Sequence, residues 1–474
     1  MTDFWNFANL ERVTGGLWLI EPADDATPPR GLSHDTRSLS AGQAYLAVAG
    51  QQHDGRDFLA QAAAAGAALC IVPEDDADET EDFTLLRRRL PGGFSVPTLV
   101  VEDAVEALQE LGSAFRDELA RGGCKVLAVG GSNGKTTTRH LLHHVLTAAG
   151  LRGTQSPKSF NNHLGVPLTL LAASPDDDFV ACEIGTNHPG EIAALSELVW
   201  PDAAVITSIG REHLEHFGSV EAIAQEEAAV LPFVRPDGVV ATPAEAAAWL
   251  MPHYDVQERV TLLPVRNDAG VPEDFPLLGR HNRLNAALVL AVARWLGLDE
   301  PAAVAALRTA APPPGRLTRI ALGQGVTLLD DTYNANPDSM AAALELLEQL
   351  PYGSDRGRGG RKIAVLGEMR ELGEHAKDEH AQVGRLADDA ADVVYLLGSA
   401  YSSEAGPSAS PPFGDDLEQF QITAALIASQ IEPGDTVLLK ASRGVGLERM
   451  IPFIQSQFPL DPDHPTNQPD VGSA

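Results

Sequence analysis

The stretch VLAVGGSNGKTTTRHLL, Val126–Leu142, decides how the rest of the chain is read. An apolar run, Val126–Val129, stops at Gly130 and Gly131, and a helical pattern starts at Lys135. A short apolar run closed by glycine suits a buried strand, and the continuation suits a helix. A glycine-rich turn between strand and helix presents backbone N–H groups and the positive helix end, which together cradle phosphate. In such a loop Lys135 reaches the terminal phosphates and the Thr136 hydroxyl holds Mg2+. The common spacing is G-x-x-x-x-G-K-[ST], and here Val129 stands where its first glycine belongs. Taken alone, the loop says nucleotide binding and no more.

Outward from the loop, apolar runs alternate with helical patterns. DDFVACEIG and DAAVITSIG are strands ending in glycine, and such wholly apolar runs suit a parallel sheet covered on both faces. Upstream, QAYLAVAG (Gln43–Gly50) and ALCIVPE (Ala68–Glu74) read as strands, and DFLAQAAAAGA as a helix ended by glycine. The prolines of APPPGR (Ala311–Arg316) cannot continue a helix and read as a linker. After it, VTLLDDTYN, RKIAVLGEM, VVYLLGS and DTVLLKASRG form a further alternating series, with YGSDRGRGGRK and SSEAGPSASPPFGDD as surface loops. The expected fold is α/β in three domains, residues 1–115, 116–314 and 315–455. A polar, Pro-rich tail at 456–474 is expected to be disordered.

Composition bounds the partners. The chain has 474 residues, 44% of them hydrophobic, which is ample for several cores. Its formal charge of −32 argues against a nucleic-acid partner, which would favour a basic face. No apolar run reaches membrane-spanning length and no secretion signal is read, so a cytoplasmic protein is expected. Cys70, Cys124 and Cys182 are far apart without metal-ligand spacing and read as buried, reduced thiols. Lysines stand only at positions 125, 135, 158, 362, 377 and 440, which makes Lys135 the more informative.

The departure from the common loop points further. The pattern G-x-N-G-K-T-T resembles the phosphate loop of the Mur ligase and folylpolyglutamate synthase superfamily. Other segments resemble that superfamily's motifs in the same order: SFNNHLGVPLTLL, CEIGTNHPGEI, TSIGREHLEHFGSVEAIA, GRHNRLNAALVLAVA, PPGRLTRI, LLDDTYNANPDSMAAAL, AVLGEMRELGEHAKDEHAQVG and LLKASRGVGLERM. The segments DDTYNANPDSM and GEMRELG are similar to those of the branch that joins D-alanyl-D-alanine to UDP-N-acetylmuramoyl-tripeptide. The resemblance spans roughly residues 30–452 and implies a UDP-binding first domain, a P-loop ATPase-like central domain and a Rossmann-like C-terminal domain. ATP and Mg2+ are the implied cofactors. UDP-N-acetylmuramoyl-tripeptide and D-alanyl-D-alanine are the implied partners, with a monomer expected.

The same resemblance implies the site. Gly130, Gly131, Ser132, Asn133, Gly134, Lys135, Thr136 and Thr137 would hold the triphosphate, with Lys135 catalytic. Thr136 and Glu183 would hold a first Mg2+, and His213 would stand beside a second. Asn285 would contact adenine, Arg316 the phosphates and Asp331 the ribose. Asn161, Asn162, Tyr333, Asn334, Asn336 and Ser339 would line the substrate side. Arg443 would clamp a peptide carboxylate with its planar fork. Ser33, Asp35, Thr36 and Arg37 would bind the UDP moiety, and Arg56 stands where the family has His. In the family a carbamylated lysine after the F-G-S segment binds the second Mg2+. Here Glu227 occupies its place, and no lysine lies between Lys158 and Lys362. Glutamate offers Mg2+ the same hard oxygens on a shorter arm, so Glu227 is expected as the replacement ligand. The rival reading is a non-catalytic or differently specific nucleotide-binding member.

Overall fold

The structure is a computed structural model that describes residues 3–50, 53–74, 83–253, 260–266, 270–352, 354–355, 358–401, 409–410 and 417–462. Three sheets follow one another along the chain, besides a two-stranded hairpin, Ser354–Asp355 with Arg358–Gly359, inside the expected loop at 352–362. The expected loop at 402–416 lies outside the described residues except for 409–410.

The first sheet has the order Leu17–Ile20, Thr98–Val101, Leu69–Pro73, Ala44–Leu46, Leu32–Ser33, with the first strand antiparallel to its neighbour and the rest parallel. The second sheet is wholly parallel. Its order is Val260–Val265, Gly238–Pro243, Ala203–Ile206, Lys125–Gly130, Phe179–Glu183, Gly153–Gln155. Alternate residues of Lys125–Gly130 enter two different cores. Val126 and Ala128 pack with Leu108, Phe115 and Val166, while Leu127 and Val129 pack with Leu142, Val145 and Val289. This is why the strand is apolar at every position from Val126 to Val129: both faces are covered by helices.

Lys125–Gly130 is the earliest strand of its sheet yet sits inside it, flanked by later strands on both sides. In such sheets ligands bind where the strand order reverses, beyond the strands' C-terminal ends. The register sets Val129 beside Glu183 and Gly130 beside Ile206, so three loops leave the sheet side by side.

The third sheet has the order Thr318–Ala321, Thr327–Asp331, Thr436–Lys440, Lys362–Gly367, Val393–Leu397, Ala409–Ser410, again with one antiparallel edge. Its strand ends face the phosphate loop. Asn336 Nδ2 donates to Asn133 Oδ1 at 2.9 Å, and Arg211 pairs with Asp338 at 2.7 Å and Glu379 at 2.9 Å.

Helices run across two of the expected boundaries. The division at 115/116 falls inside the helix Ala104–Arg121, whose buried stripe runs Ala104, Ala107, Leu108, Leu111, Phe115, Leu119. That stripe packs into a core shared by the first two domains, and Gly112 allows close approach, since a Cβ there would stand 2.8 Å from Pro167 Cβ. The ordered chain also passes the expected start of the tail at 456. The helix Ile451–Gln457 and a bridge from Leu460 to Leu322 carry it on, because Ile454 and Phe458 are buried in the third domain. Residues 463–474 lie outside the described residues.

Candidate active site

The loop after Lys125–Gly130 is built on glycine. Gly131 has φ +107 and Gly134 φ +90, a region that L side chains rarely adopt. Space forbids a side chain as well: a Cβ at Gly131 would stand 2.6 Å from Thr207 N, and one at Gly134 2.8 Å from Asn285 Oδ1. Ser132 N donates to Ser208 O at 2.9 Å and Asn133 N to Ser208 Oγ at 2.8 Å, so the neighbouring strand end fixes the turn. The helix Lys135–Ala148 starts at Gly134 with no side-chain cap, which leaves its first N–H groups for an anion.

Lys135 Nζ donates to Gly131 O at 2.6 Å and Ser132 O at 3.1 Å, and lies 3.4 Å from Glu212 Oε2. Burial acts to lower its pKa, but Glu212, Glu227 and Glu183 outweigh burial and hold it above the ordinary value. Beneath the loop, Glu227 Oε2 accepts the Gly131 N–H at 2.8 Å. Glu227 is fully buried, its Oε1 has no hydrogen-bond partner, and burial pushes its pKa up to about 8.

Thr136 Oγ1 donates to Glu183 Oε1 at 3.1 Å. Glu183 ends its strand fully buried and also accepts from Asn161 Nδ2 at 3.2 Å and Arg139 Nε at 3.3 Å. A hydroxyl and a carboxylate at this spacing are hard oxygen donors of the kind Mg2+ takes beside nucleotide phosphates, where one or two carboxylates suffice. Among the described residues no three His, Cys, Asp or Glu side chains form a metal cage, and such a site does not require one. The buried, unpartnered oxygens Glu212 Oε1 and Glu227 Oε1 leave further acceptors near the loop, so the residues fit Mg2+. His213, in a left-handed conformation at φ +47, has Nδ1 2.6 Å from Glu371 Oε2 and Nε2 3.8 Å from Glu212 Oε2.

Two cavities share the loop as a wall. One, of about 550 Å³, is bounded by Gly134, Thr137, Asn285, Arg316, Asp331 and Lys440. There Lys440 Nζ sits 2.6 Å from Asp331 Oδ2, while Asp331 Oδ1 accepts the Leu317 N–H at 3.1 Å. Burial lowers the pKa of both Lys440 and Arg316, against the pull of Asp331. The other cavity, of about 600 Å³, is reached by Ser132, Thr136, Glu183, Asn161, Asn162 and His213 from the middle domain. Tyr333, Asn334, Asn336, Ser339 and Arg443 close it from the third. Arg316 lies 4.1 Å over the Tyr333 ring with Nη2 3.4 Å from Thr136 Oγ1, bridging the two sides. Asn336 caps the helix Pro337–Gln349 in a reciprocal capping box with Ser339.

The structure thus brings most of the residues chosen from sequence around one loop, but not all. Gly130, Gly131 and Glu227 line neither cavity, Glu227 lying beneath the loop against the Gly131 N–H. Ser33, Asp35, Thr36 and Arg37 form a turn in the first domain, away from both. There Asp35 binds the exposed Arg37 through both oxygens, and that bond holds the Asp35 pKa down to about 2. Asp54 is held by Arg56 at 2.8 Å and by Arg89 at 2.9 Å, so the arginine in the histidine position is an anchor of its own turn. Glu212, Glu371, Lys440 and Arg139 were not singled out. The scarcity of lysine could have found Lys440, and the GEMRELG segment contained Glu371.

Three family models match in order: the Mur ligase family catalytic domain at residues 29–116, the middle domain at 129–250, and the glutamate ligase domain at 315–443. A UDP-N-acetylmuramoyl-tripeptide–D-alanyl-D-alanine ligase of Bacillus subtilis is 31% identical, over 94% of this chain and 96% of its own. The chain belongs to the Mur ligase family. Among solved structures, MurF of Acinetobacter baumannii superposes with a TM-score of 0.76 at 27% identity, covering 95% of this chain and 99% of that one. MurF ligase of Thermotoga maritima in complex with ADP gives 0.71 at 26% identity, covering 90% and 97%. Among the described residues no helix is long and apolar enough to cross a membrane.

Proposed function

We propose that the enzyme joins D-alanyl-D-alanine to UDP-N-acetylmuramoyl-tripeptide with ATP, forming ADP and phosphate, as a step of peptidoglycan precursor synthesis. A carboxylate does not react with an amine near neutral pH until it carries a leaving group. The terminal carboxylate of the tripeptide attacks the γ-phosphorus of ATP and ADP leaves. The amine of D-alanyl-D-alanine then attacks the acyl phosphate, and inorganic phosphate leaves as the amine loses its proton.

The residues divide this work. The smaller cavity takes the nucleoside, with Asn285 at the base and Asp331 at the ribose. The loop and the first N–H groups of its helix take the phosphates. Lys135 and Arg316 bear on the charge that develops on the transferring group. Mg2+ bound at Thr136 and Glu183, and a second ion served by His213 and Glu227, would offset repulsion between carboxylate and phosphates. Glu227 stands here in place of the family's carbamylated lysine. Tyr333, Asn334, Asn336, Ser339 and Arg443 receive D-alanyl-D-alanine, Asn161 and Asn162 line the tripeptide side, and Ser33, Asp35, Thr36 and Arg37 receive the UDP end.

The observation that carries this reading is the single phosphate loop shared by two cavities, one closed by Asp331 and Lys440 and the other by Tyr333 and Arg443. A one-substrate nucleotide switch needs no second cavity of this size. The test is ligation with ATP, D-alanyl-D-alanine and UDP-tripeptides ending in meso-diaminopimelate or lysine, followed by mass spectrometry and ADP release. ADP should appear in step with the pentapeptide product and only when all substrates are present. ADP release independent of the peptides would overturn the proposal.

A further inference from the structure

Glu212 precedes His213, and no motif assigns it a role. Its side chain is 8% exposed, and it borders the larger cavity. Oε2 faces Lys135 Nζ at 3.4 Å and His213 Nε2 at 3.8 Å, while Oε1 is buried without a hydrogen-bond partner. Lys135 has three acceptors around its ammonium: Gly131 O, Ser132 O and Glu212 Oε2. An ammonium has three protons, so a lysine held this way has none left for a phosphate. To reach a γ-phosphate, Lys135 must release at least Glu212, the longest of the three contacts. That release would strand a buried carboxylate, a state strongly disfavoured unless another cation takes the lysine's place. The approach is prepared on the other side. Glu371 Oε2 lies 2.6 Å from His213 Nδ1, and His213 Nε2 faces Glu212 Oε2 at 3.8 Å.

We propose that Glu212 is an exchange carboxylate: it holds Lys135 in the nucleotide-free enzyme and becomes an oxygen ligand to the divalent cation beside His213 once Lys135 moves onto the phosphates. Metal and nucleotide binding are thereby coupled through one side chain. The inference rests on the ATP-dependent ligase reading above. It also predicts opposite signs for one substitution. Without metal, Glu212 competes for Lys135 and repels phosphate, so its charge weakens nucleotide binding. With metal, its charge strengthens it.

The experiment is calorimetric titration of a non-hydrolysable ATP analogue into wild type, Glu212→Gln and Glu212→Asp, each in EDTA and in saturating MgCl2. Electron paramagnetic resonance of Mn2+ then counts the ions bound with the analogue. Glu212→Gln should bind the analogue more tightly than wild type in EDTA and more weakly in Mg2+. The coupling between metal and analogue should fall by about tenfold, within the usual range of coupling between two sites. One Mn2+ should be lost or weakened, and Glu212→Asp should recover part of the coupling. A purely structural Glu212 would shift both affinities the same way and leave the coupling intact, which overturns the proposal. So would unchanged Mn2+ stoichiometry and affinity in Glu212→Gln. If wild type itself binds the analogue equally with and without Mg2+, the coupling is absent and this proposal fails while the ligase reading stands; if wild type binds no analogue under either condition, the ligase reading fails and this one with it.

Discussion

Gly131→Ala isolates what the phosphate loop demands of its backbone. At φ +107 an alanine adopts a left-handed conformation that costs about 1–2 kcal/mol. Gly150, at the end of the same loop-to-helix unit, has φ +91 and nothing within 4 Å of a built Cβ, so Gly150→Ala carries the conformational cost alone. At Gly131 the added carbon would also stand 2.6 Å from Thr207 N and 2.9 Å from Ser208 N. These are backbone atoms, and no rotamer change relieves them. Overpacking of this kind adds roughly 1–3 kcal/mol, so Gly131→Ala should lose about 2–5 kcal/mol in all. The relief is movement of the loop, which breaks the bonds from Gly131 N to Glu227 at 2.8 Å and from Ser132 N to Ser208 O at 2.9 Å. A displacement of about 1 Å in a catalytic loop can cost on the order of a hundredfold in rate. The assay pairs thermal melting with ADP titration for both variants. Gly150→Ala should melt slightly early and bind ADP as wild type does, whereas Gly131→Ala should melt earlier still and lose ADP affinity by about two orders of magnitude. Equal melting of the two variants together with normal ADP binding by Gly131→Ala would refute the reasoning.

Lys135→Ala should retain circular dichroism and UDP-tripeptide binding but lower kcat by about 10²–10³-fold, as loss of one transition-state contact does; near-normal turnover would remove the lysine from the chemistry. Glu227→Gln keeps an oxygen acceptor for Gly131 N and tests the buried acid. With a folded pKa of about 8 against roughly 4.3 unfolded, metal-free wild type holds the proton when folded and loses stability as pH rises between those values. Urea denaturation in EDTA should therefore show wild type falling relative to the variant by roughly 2 kcal/mol between about pH 5.5 and 7.5, and parallel profiles would exclude a raised pKa. Activity should survive bicarbonate depletion, since Glu227 needs no carbamylation; recovery of a depleted enzyme on adding bicarbonate would count against its role. Arg211→Ala removes pairs to Asp338 and Glu379 that join the middle and third domains, so small-angle scattering should show a larger radius of gyration in saturating nucleotide, and an unchanged radius would mean these pairs do not hold the cleft.

Sequence by itself determined the fold class and the loop, because both depend on local order. Apolar runs that end in glycine, as in Val126–Gly131, carry their strand, turn and helix in consecutive residues, and phosphate binding by such a turn needs no distant partner. The family motifs likewise sit in short segments, which is why Thr136, Glu183, Asn285, Asp331 and Tyr333 could be chosen before their neighbours were known. Tertiary structure decided what joins those segments. Only the sheet order shows that Gly130, Glu183 and Ile206 end side by side, since neighbours in a parallel sheet are separated by whole crossovers. Burial was equally illegible: Glu212 carried no signal in the sequence and Glu227 was legible only as a replacement metal ligand, yet both are buried near Lys135. The partners Lys440–Asp331, Glu371–His213 and Asn336–Asn133 are each contributed by segments more than 100 residues apart. A carboxylate's charge, pKa and role follow from what surrounds it, and for Glu183, Glu212 and Glu227 those surroundings exist only once the strand ends of the middle sheet lie side by side around the loop.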